Sequence, residues 1–145
     1  MNDKRFLDTN VLVYAYDTSE PTKQEIALTV LDQAFTEDSG ALSVQVLGEF
    51  YSVVTRKIRN PMSSDEALRA IRLFSNWEVG EIDYSLVLAA VDIQGRYPVN
   101  YWDALILAAA HRQGCPTLLT EDLSQGQRYD DVEVVNPFLQ GDGSP

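Results

Sequence analysis

Cysteine, histidine and lysine are nearly absent from this chain. The single cysteine, Cys115, rules out an internal disulfide, and cysteine usage of this kind fits a reducing cytoplasm. With His111 as the only histidine, a nitrogen/sulfur zinc site has too few ligands. His111 and Cys115 lie one helical turn apart. However, Gly114-Cys115-Pro116 reads as a turn with a packed thiol, and His111 reads as a helix-end residue at the favourable pole of the dipole. Lysine occurs only at positions 4, 23 and 57. No apolar run approaches the roughly 18 to 20 residues that span a bilayer, and no secretory signal pattern is present, so a cytoplasmic protein without a membrane role is expected. Basic residues are also scarce, 11 against 22 acidic ones, for a net charge of -11. At long range that charge opposes nucleic-acid binding, which normally uses a basic face. A bound cation inverts the sign locally, and the acid surplus suits a basic protein partner.

What is present is a regular alternation of short strand-like and longer helix-like segments. Phe6-Leu7 is a first strand, and Gly40-Ala41-Leu42 is a second. Extended segments follow at Trp77 to Ile82, Thr117 to Thr120 and Val132 to Val135. Thr22-Lys23-Gln24-Glu25 after Pro21 matches a capping box, with Ala27, Val30, Leu31, Ala34 and Phe35 following at helical spacing. Ser43 starts a helix whose apolar face is Leu47, Phe50, Tyr51, Val54 and Ile58, ended by Asn60-Pro61. Ser63-Ser64-Asp65-Glu66 is a second capping box, before Ala67, Ala70, Ile71 and Phe74. Ser85 to Tyr97 is a helix with Leu86, Ala89, Ala90 and Ile93 inward. Asn100 caps a helix from Tyr101 to Gln113 that Gly114 ends. Strands separated by helices predict an α/β fold: one domain over 1–138, with a small, mainly parallel sheet flanked by helices on both faces. Residues 139–145 are expected to form a tail, frayed from Gln140 onward.

In such sheets ligands bind beyond the carboxyl ends of the strands. Asp8 directly follows the first strand, and Asp122 follows Thr117–Thr120 by two residues. Each alone reads equally as a turn or capping residue; together they are candidates for one crevice. Glu49 lies on a polar stripe, Gln45, Glu49, Ser52 and Arg56, opposite the apolar face of its helix. That stripe is either a solvated surface or the wall of a cleft. Asp103, three residues after Asn100, either completes the first helical turn, where the dipole favours an anion, or enters a site from a deeply packed helix. Crowded carboxylates raise one another's pKa values, and a hard divalent cation removes that penalty. Mg²⁺ is typically held by one or two carboxylates together with waters and substrate phosphate.

Leu7-Asp8-Thr9-Asn10-Val11-Leu12, Glu49-Phe50, Asp103-Ala104-Leu105-Ile106 and Leu119-Thr120-Glu121-Asp122-Leu123 resemble, in order and spacing, the PIN domain. More narrowly they are similar to VapC-type toxins, over nearly the whole chain from Phe6 to about Phe138. The resemblance implies a Mg²⁺- or Mn²⁺-dependent endoribonuclease with Asp8, Glu49, Asp103 and Asp122 as its acidic site. Asp8 and Asp103 would ligate metal, Asp122 would bind a metal or its water, and Glu49 would ligate or orient the attacking water. Thr9, Asn10 and Thr120 match supporting positions. It also implies an RNA substrate, a small cognate antitoxin and a homodimer. Arg56, Lys57 and Arg59 form the densest cationic group available for RNA, with Arg96 and Arg112 as further candidates.

Two rival readings remain at this level. A non-catalytic PIN-like scaffold would be favoured by loss of an acid, and all four are present. A haloacid-dehalogenase-like phosphatase needs a second acid at position 10, where this chain has Asn10, and a lysine late in the chain, where there is none.

Overall fold

The computed structural model describes residues 3–139; the expected fraying from Gln140 onward lies outside the described residues. Among the described residues, six strands and six helices follow in the order β1 (Arg5–Leu7), α1 (Thr9–Tyr14), α2 (Pro21–Glu37), β2 (Gly40–Ser43), α3 (Val44–Arg56), α4 (Ser64–Phe74), β3 (Glu78–Gly80), α5 (Tyr84–Arg96), α6 (Tyr101–Arg112), β4 (Thr117–Leu119), β5 (Arg128–Tyr129) and β6 (Val132–Val135). A 3₁₀ turn over Pro137–Leu139 closes the described chain and includes Leu139. The strands form one sheet in the order β3-β2-β1-β4-β6-β5, parallel except for the β5–β6 pair. All four residues of β2 are buried, as expected of a strand covered on both faces.

The chain order across the sheet positions the site. From β1 the chain winds outward through β2 to β3, then returns to the other side of β1 as β4. The β1–β4 seam is therefore the switch point, where two connections leave in opposite directions and open a crevice. Leu7 pairs with Leu119 at the end of that seam, and the Asp8 N–H continues it by donating to the Leu119 carbonyl at 3.0 Å.

Local chemistry explains most element boundaries. Ser63 and Glu66 form the reciprocal capping box, Asn100 accepts from the Asp103 N–H, and Gly114 leaves α6 at φ 72°. Other expectations were displaced. The capping box at Thr22 does not form, because Pro21 takes the first helical position and Glu20 becomes the N-cap without a side-chain bond. The helix α1 carries three consecutive buried residues, Val11, Leu12 and Val13, so it has no amphipathic period to read. On α3 the buried ridge is Val46, Phe50 and Val54. Tyr51, expected inward, is exposed and its hydroxyl meets Ser64 Oγ at 2.8 Å. Ala89, expected inward on α5, is exposed as well. The two-residue β5 is too short for a sequence pattern.

An aromatic cluster locks α3 and α4 against the sheet. Phe50 meets Phe74 edge to face with centroids 5.2 Å apart, and Phe74 and Phe35 both stack with Trp77, at 5.7 and 4.2 Å. Gly40 is required there: a Cβ would stand 2.6 Å from the Trp77 ring. Gly48, on the exposed side of α3, has nothing within 4 Å of its Cβ position. Urea denaturation should therefore find Gly40→Ala destabilised by about 1–3 kcal/mol through overpacking. Gly48→Ala should be stabilised by roughly 0.5–1 kcal/mol through helix propensity.

Candidate active site

The switch point collects acids from four elements. Asp8 ends β1 and serves as N-cap of α1; its Oδ1 accepts from the Thr9 N–H at 2.7 Å. Its Oδ2 accepts from the hydroxyl of Thr120, a fully buried residue just past β4, at 2.9 Å. So the capping reading of Asp8 holds, and its second oxygen ties it to the end of β4. Thr9 links onward, its hydroxyl donating to Glu49 Oε1 at 2.6 Å. Glu49 Oε2 accepts from Gln45 Nε2 at 3.1 Å, and the same amide nitrogen reaches the Trp102 carbonyl at 3.4 Å, next to Asp103. Asn100 and Asp103 bond reciprocally, Nδ2 to Oδ2 at 3.0 Å and the Asp103 N–H to Oδ1 at 2.8 Å.

Asp122 is fixed by two short polar residues. Asn10 Nδ2 donates to its Oδ2 at 3.0 Å, and its own N–H donates to Thr120 Oγ1 at 3.0 Å. Asn10 also reaches Thr120 Oγ1 at 3.1 Å and accepts from the Glu121 N–H at 3.3 Å. Thr120 Oγ1 thus spends its proton on Asp8 and accepts from both Asn10 and Asp122.

Asp122 stands where two clefts meet. One, of ≈ 610 Å³, is lined by Thr9, Asn10, Glu49, Lys57, Arg59 and Asp122, among others. The second, of ≈ 470 Å³, includes Asn100, Asp103, Asp122 and Tyr129. Of the expected cations, Lys57 and Arg59 line the first cleft without an ion-pair partner among the described residues, while Arg56 is exposed outside it. Arg96 and Arg112 are committed elsewhere: Arg96 grips Asp130 at 2.7 and 3.0 Å and Asp92 at 3.0 Å, and Arg112 holds Asp83 at 2.7 and 3.1 Å.

The electrostatics match the crowding. Burial pushes the Asp8 carboxyl up to about 7, with its two hydrogen bonds opposing and the charges of Asp122 and Glu49 adding to the rise. Asp103 is also raised, first by burial and then by Asp122 and Glu49, against the bond from Asn100. Each of these acids is electrostatically coupled to Asp122 and Glu49, so the site lacks positive charge. The donors are oxygens throughout, which suits a hard divalent cation. Gln45 Oε1, buried beside Glu49 without a partner, leaves one more oxygen acceptor. Among the described residues no group of three or more His, Cys, Asp or Glu is gathered tightly enough to enclose an ion. The set fits a cation held by one or two carboxylates with water completing its shell.

Cys115 and His111 line neither cleft. Cys115 is buried and its thiol is pushed up to about 12 by desolvation; His111 Nδ1 meets Asp131 at 2.7 Å. Gln45 was visible in the sequence only as part of a polar stripe, and its bond to Glu49 has no sequence signal beyond the i, i+4 spacing.

Comparison with known proteins agrees with this architecture. The PIN domain profile matches residues 5–130. No curated protein sequence matches the chain. A toxin-antitoxin complex from Klebsiella pneumoniae contains a chain with TM-score 0.68 and 19% identity, covering 92% of this chain and 98% of that one. DNA-bound VapBC from Salmonella typhimurium gives TM-score 0.64 at 17% identity, covering 90% and 96%. VapC20 from Mycobacterium tuberculosis, described as a Sarcin-Ricin loop cleaving toxin, gives TM-score 0.56 at 18% identity, covering 79% and 87%. At these identities the likeness is one of fold.

The raised Asp8 carboxyl carries a stability signature. Between about pH 4 and pH 7 the unfolded chain ionises Asp8 while the folded chain keeps the proton, so folding stability falls as pH rises through that window. The full loss is at most about 4 kcal/mol. In metal-free buffer, Asp8→Asn should flatten this slope and be the more stable protein at pH 8. Urea denaturation at pH 5 and pH 8 measures it, and identical slopes for both proteins would remove Asp8 as the cause.

Proposed function

The chain belongs to the PIN domain family, and from that premise we propose that it is a Mg²⁺- or Mn²⁺-dependent endoribonuclease, the toxin of a VapBC-type toxin–antitoxin pair. The observation that carries the reading is the convergence of Asp8, Glu49, Asp103 and Asp122 on one switch point, with Asp8 and Asp103 held in want of a positive charge. A phosphatase of the haloacid-dehalogenase type has no place in this family.

The divalent cation, when bound, would supply charge neutralisation at the scissile phosphate and a more acidic water. Asp8 and Asp103 would hold it, with Asp122 as a further ligand or a partner to its water. Glu49 is oriented from both sides, by Thr9 and Gln45, so its carboxylate is fixed for holding a water. Thr9, Asn10 and Thr120 are supporting residues whose hydrogen bonds set the carboxylate directions. Lys57 and Arg59 line the cleft without an ion-pair partner among the described residues and are assigned to RNA phosphate; Arg56, exposed on α3, does not line it. The acidic surface supports a basic antitoxin as partner. Pairing of two copies is also expected, and the exposed stripe Tyr84, Leu88 and Val91 on α5 supports it. Among the described residues no helix is long and apolar enough to cross a membrane; a cytoplasmic location follows from the proposed role.

With Mg²⁺ or Mn²⁺, the protein should cleave RNA, and Asp8→Asn or Asp103→Asn should lower cleavage by about 100-fold or more, the scale of losing charge stabilisation at a reacting phosphate. Metal should raise the wild-type Tm, and Asp8→Asn should abolish the rise. Lys57→Ala with Arg59→Ala should raise KM for RNA while leaving kcat near the wild-type value. A wild type that neither cleaves RNA nor responds to metal would favour the scaffold reading. Separately, Leu88→Asp should convert a dimer to a monomer on size-exclusion chromatography with light scattering; a monomeric wild type removes the copy-to-copy pairing.

A further inference from the structure

Glu121 is the neighbour of Asp122, yet its side chain takes no part in the carboxylate cluster. It is drawn the other way. Tyr14 Oη donates to Glu121 Oε2 at 2.7 Å, and Lys23 Nζ donates to Oε1 at 3.0 Å and to Tyr14 Oη at 3.2 Å. The Lys23 ammonium also lies over the Tyr14 ring at 4.6 Å and within 5.7 Å of the Phe138 ring centre. Tyr14 and Phe138 meet edge to face with centroids 5.0 Å apart. Both carboxylate oxygens of Glu121 thus accept from side chains of α1 and α2.

The same stretch of chain is gripped a second time, one helical turn earlier on α1. Asn10 accepts from the Glu121 N–H and donates to the Asp122 carboxylate. Asn10 and Tyr14 are at i and i+4, so one face of α1 holds the backbone of residue 121, its side chain, and the carboxylate of residue 122. Without Lys23 and Tyr14, Glu121 would be an uncompensated fifth carboxylate one residue from Asp122. Its release would leave the placement of Asp122 to Asn10 and Thr120 alone, so the Asp122 carboxylate would lose part of its fixed direction.

We propose that Lys23 and Tyr14 are positioning residues: they hold Glu121 out of the cation site and thereby fix Asp122 in it, so that divalent-cation affinity depends on a clamp built from α1, α2 and Phe138. The inference rests on the metal-dependent reading above. It accounts for the one lysine near the site that faces a carboxylate instead of the cleft.

The test uses the full chain with Mn²⁺ alone as the probe. The apparent affinity is read from the rise in Tm with Mn²⁺ concentration and from titration calorimetry. Tyr14→Phe keeps the ring packing and removes one hydrogen bond, and should raise the Mn²⁺ midpoint about three-fold. Lys23→Met releases Glu121 and should raise it about five- to ten-fold, while Lys23→Arg, which keeps the charge, should stay within about two-fold. Saturating Mn²⁺ should restore RNA cleavage in both weakened variants. A clamp that is only structural lowers the metal-free Tm and leaves the midpoint unchanged or lower, and that result overturns the proposal. If Lys23→Met does not fold, Tyr14→Phe decides alone. A wild type with no response to Mn²⁺ overturns the metal reading and this inference with it. A responding wild type with unmoved variants overturns the clamp only.

Discussion

The hydroxyl of Thr120, buried at the end of the β1–β4 seam, is the contact on which the site's geometry turns. It has one proton and two acceptor positions, and all are used: Asp8 takes the proton, and Asn10 and the Asp122 N–H occupy the lone pairs. The seam brings the ends of β1 and β4 together through parallel register, and the hydroxyl converts that register into a fixed relation between two carboxylates more than a hundred residues apart. A buried hydroxyl serves here because it can give and accept at once in a space that a charged group would enter only at high cost.

That relation is held at a cost in electrostatics. Asp8 is buried with two hydrogen bonds, too few to offset desolvation and the charges nearby. The core absorbs the penalty: Phe6, Leu7, Leu118 and Leu119 in the strands beneath the site are buried, and the Phe50–Phe74–Trp77 cluster ties α3, which carries Glu49, to the body of the domain. Under the proposed metal-dependent reading, such a set would favour a cation, since binding would relieve repulsion that is already present instead of creating order.

The fold was largely legible in the sequence because its signals are local. Ser63–Glu66, Asn100 and Gly114 announce helix ends through side-chain chemistry that needs no tertiary context. Asp8, Asp103 and Asp122 were legible as candidates because each follows a strand or opens a helix, and Glu49 as part of a polar stripe; order and spacing made the four a family pattern. Two kinds of information were out of reach. The short α1, with three consecutive buried residues, carries no amphipathic period, and Pro21 overrode an apparent capping box at Thr22. The hydrogen-bond partners of the acids are pairings such as Thr9 with Glu49 and Thr120 with Asp8, set by the switch-point topology instead of by spacing. The same applies to cations: Arg96 and Arg112 looked available in sequence and are consumed by Asp130 and Asp83.

The charge distribution has a kinetic consequence. With a net charge of -11, and Lys57 and Arg59 lining the cleft beside Glu49, the long-range field repels any polyanion and attracts any polycation. Encounter with a nucleic acid is then slow at low ionic strength and quickens as salt screens the field over a Debye length of about 8–10 Å. Encounter with a basic polypeptide has the opposite salt dependence. The two classes of visitor are therefore sorted before either touches the cleft, by the sign of the diffusion bias.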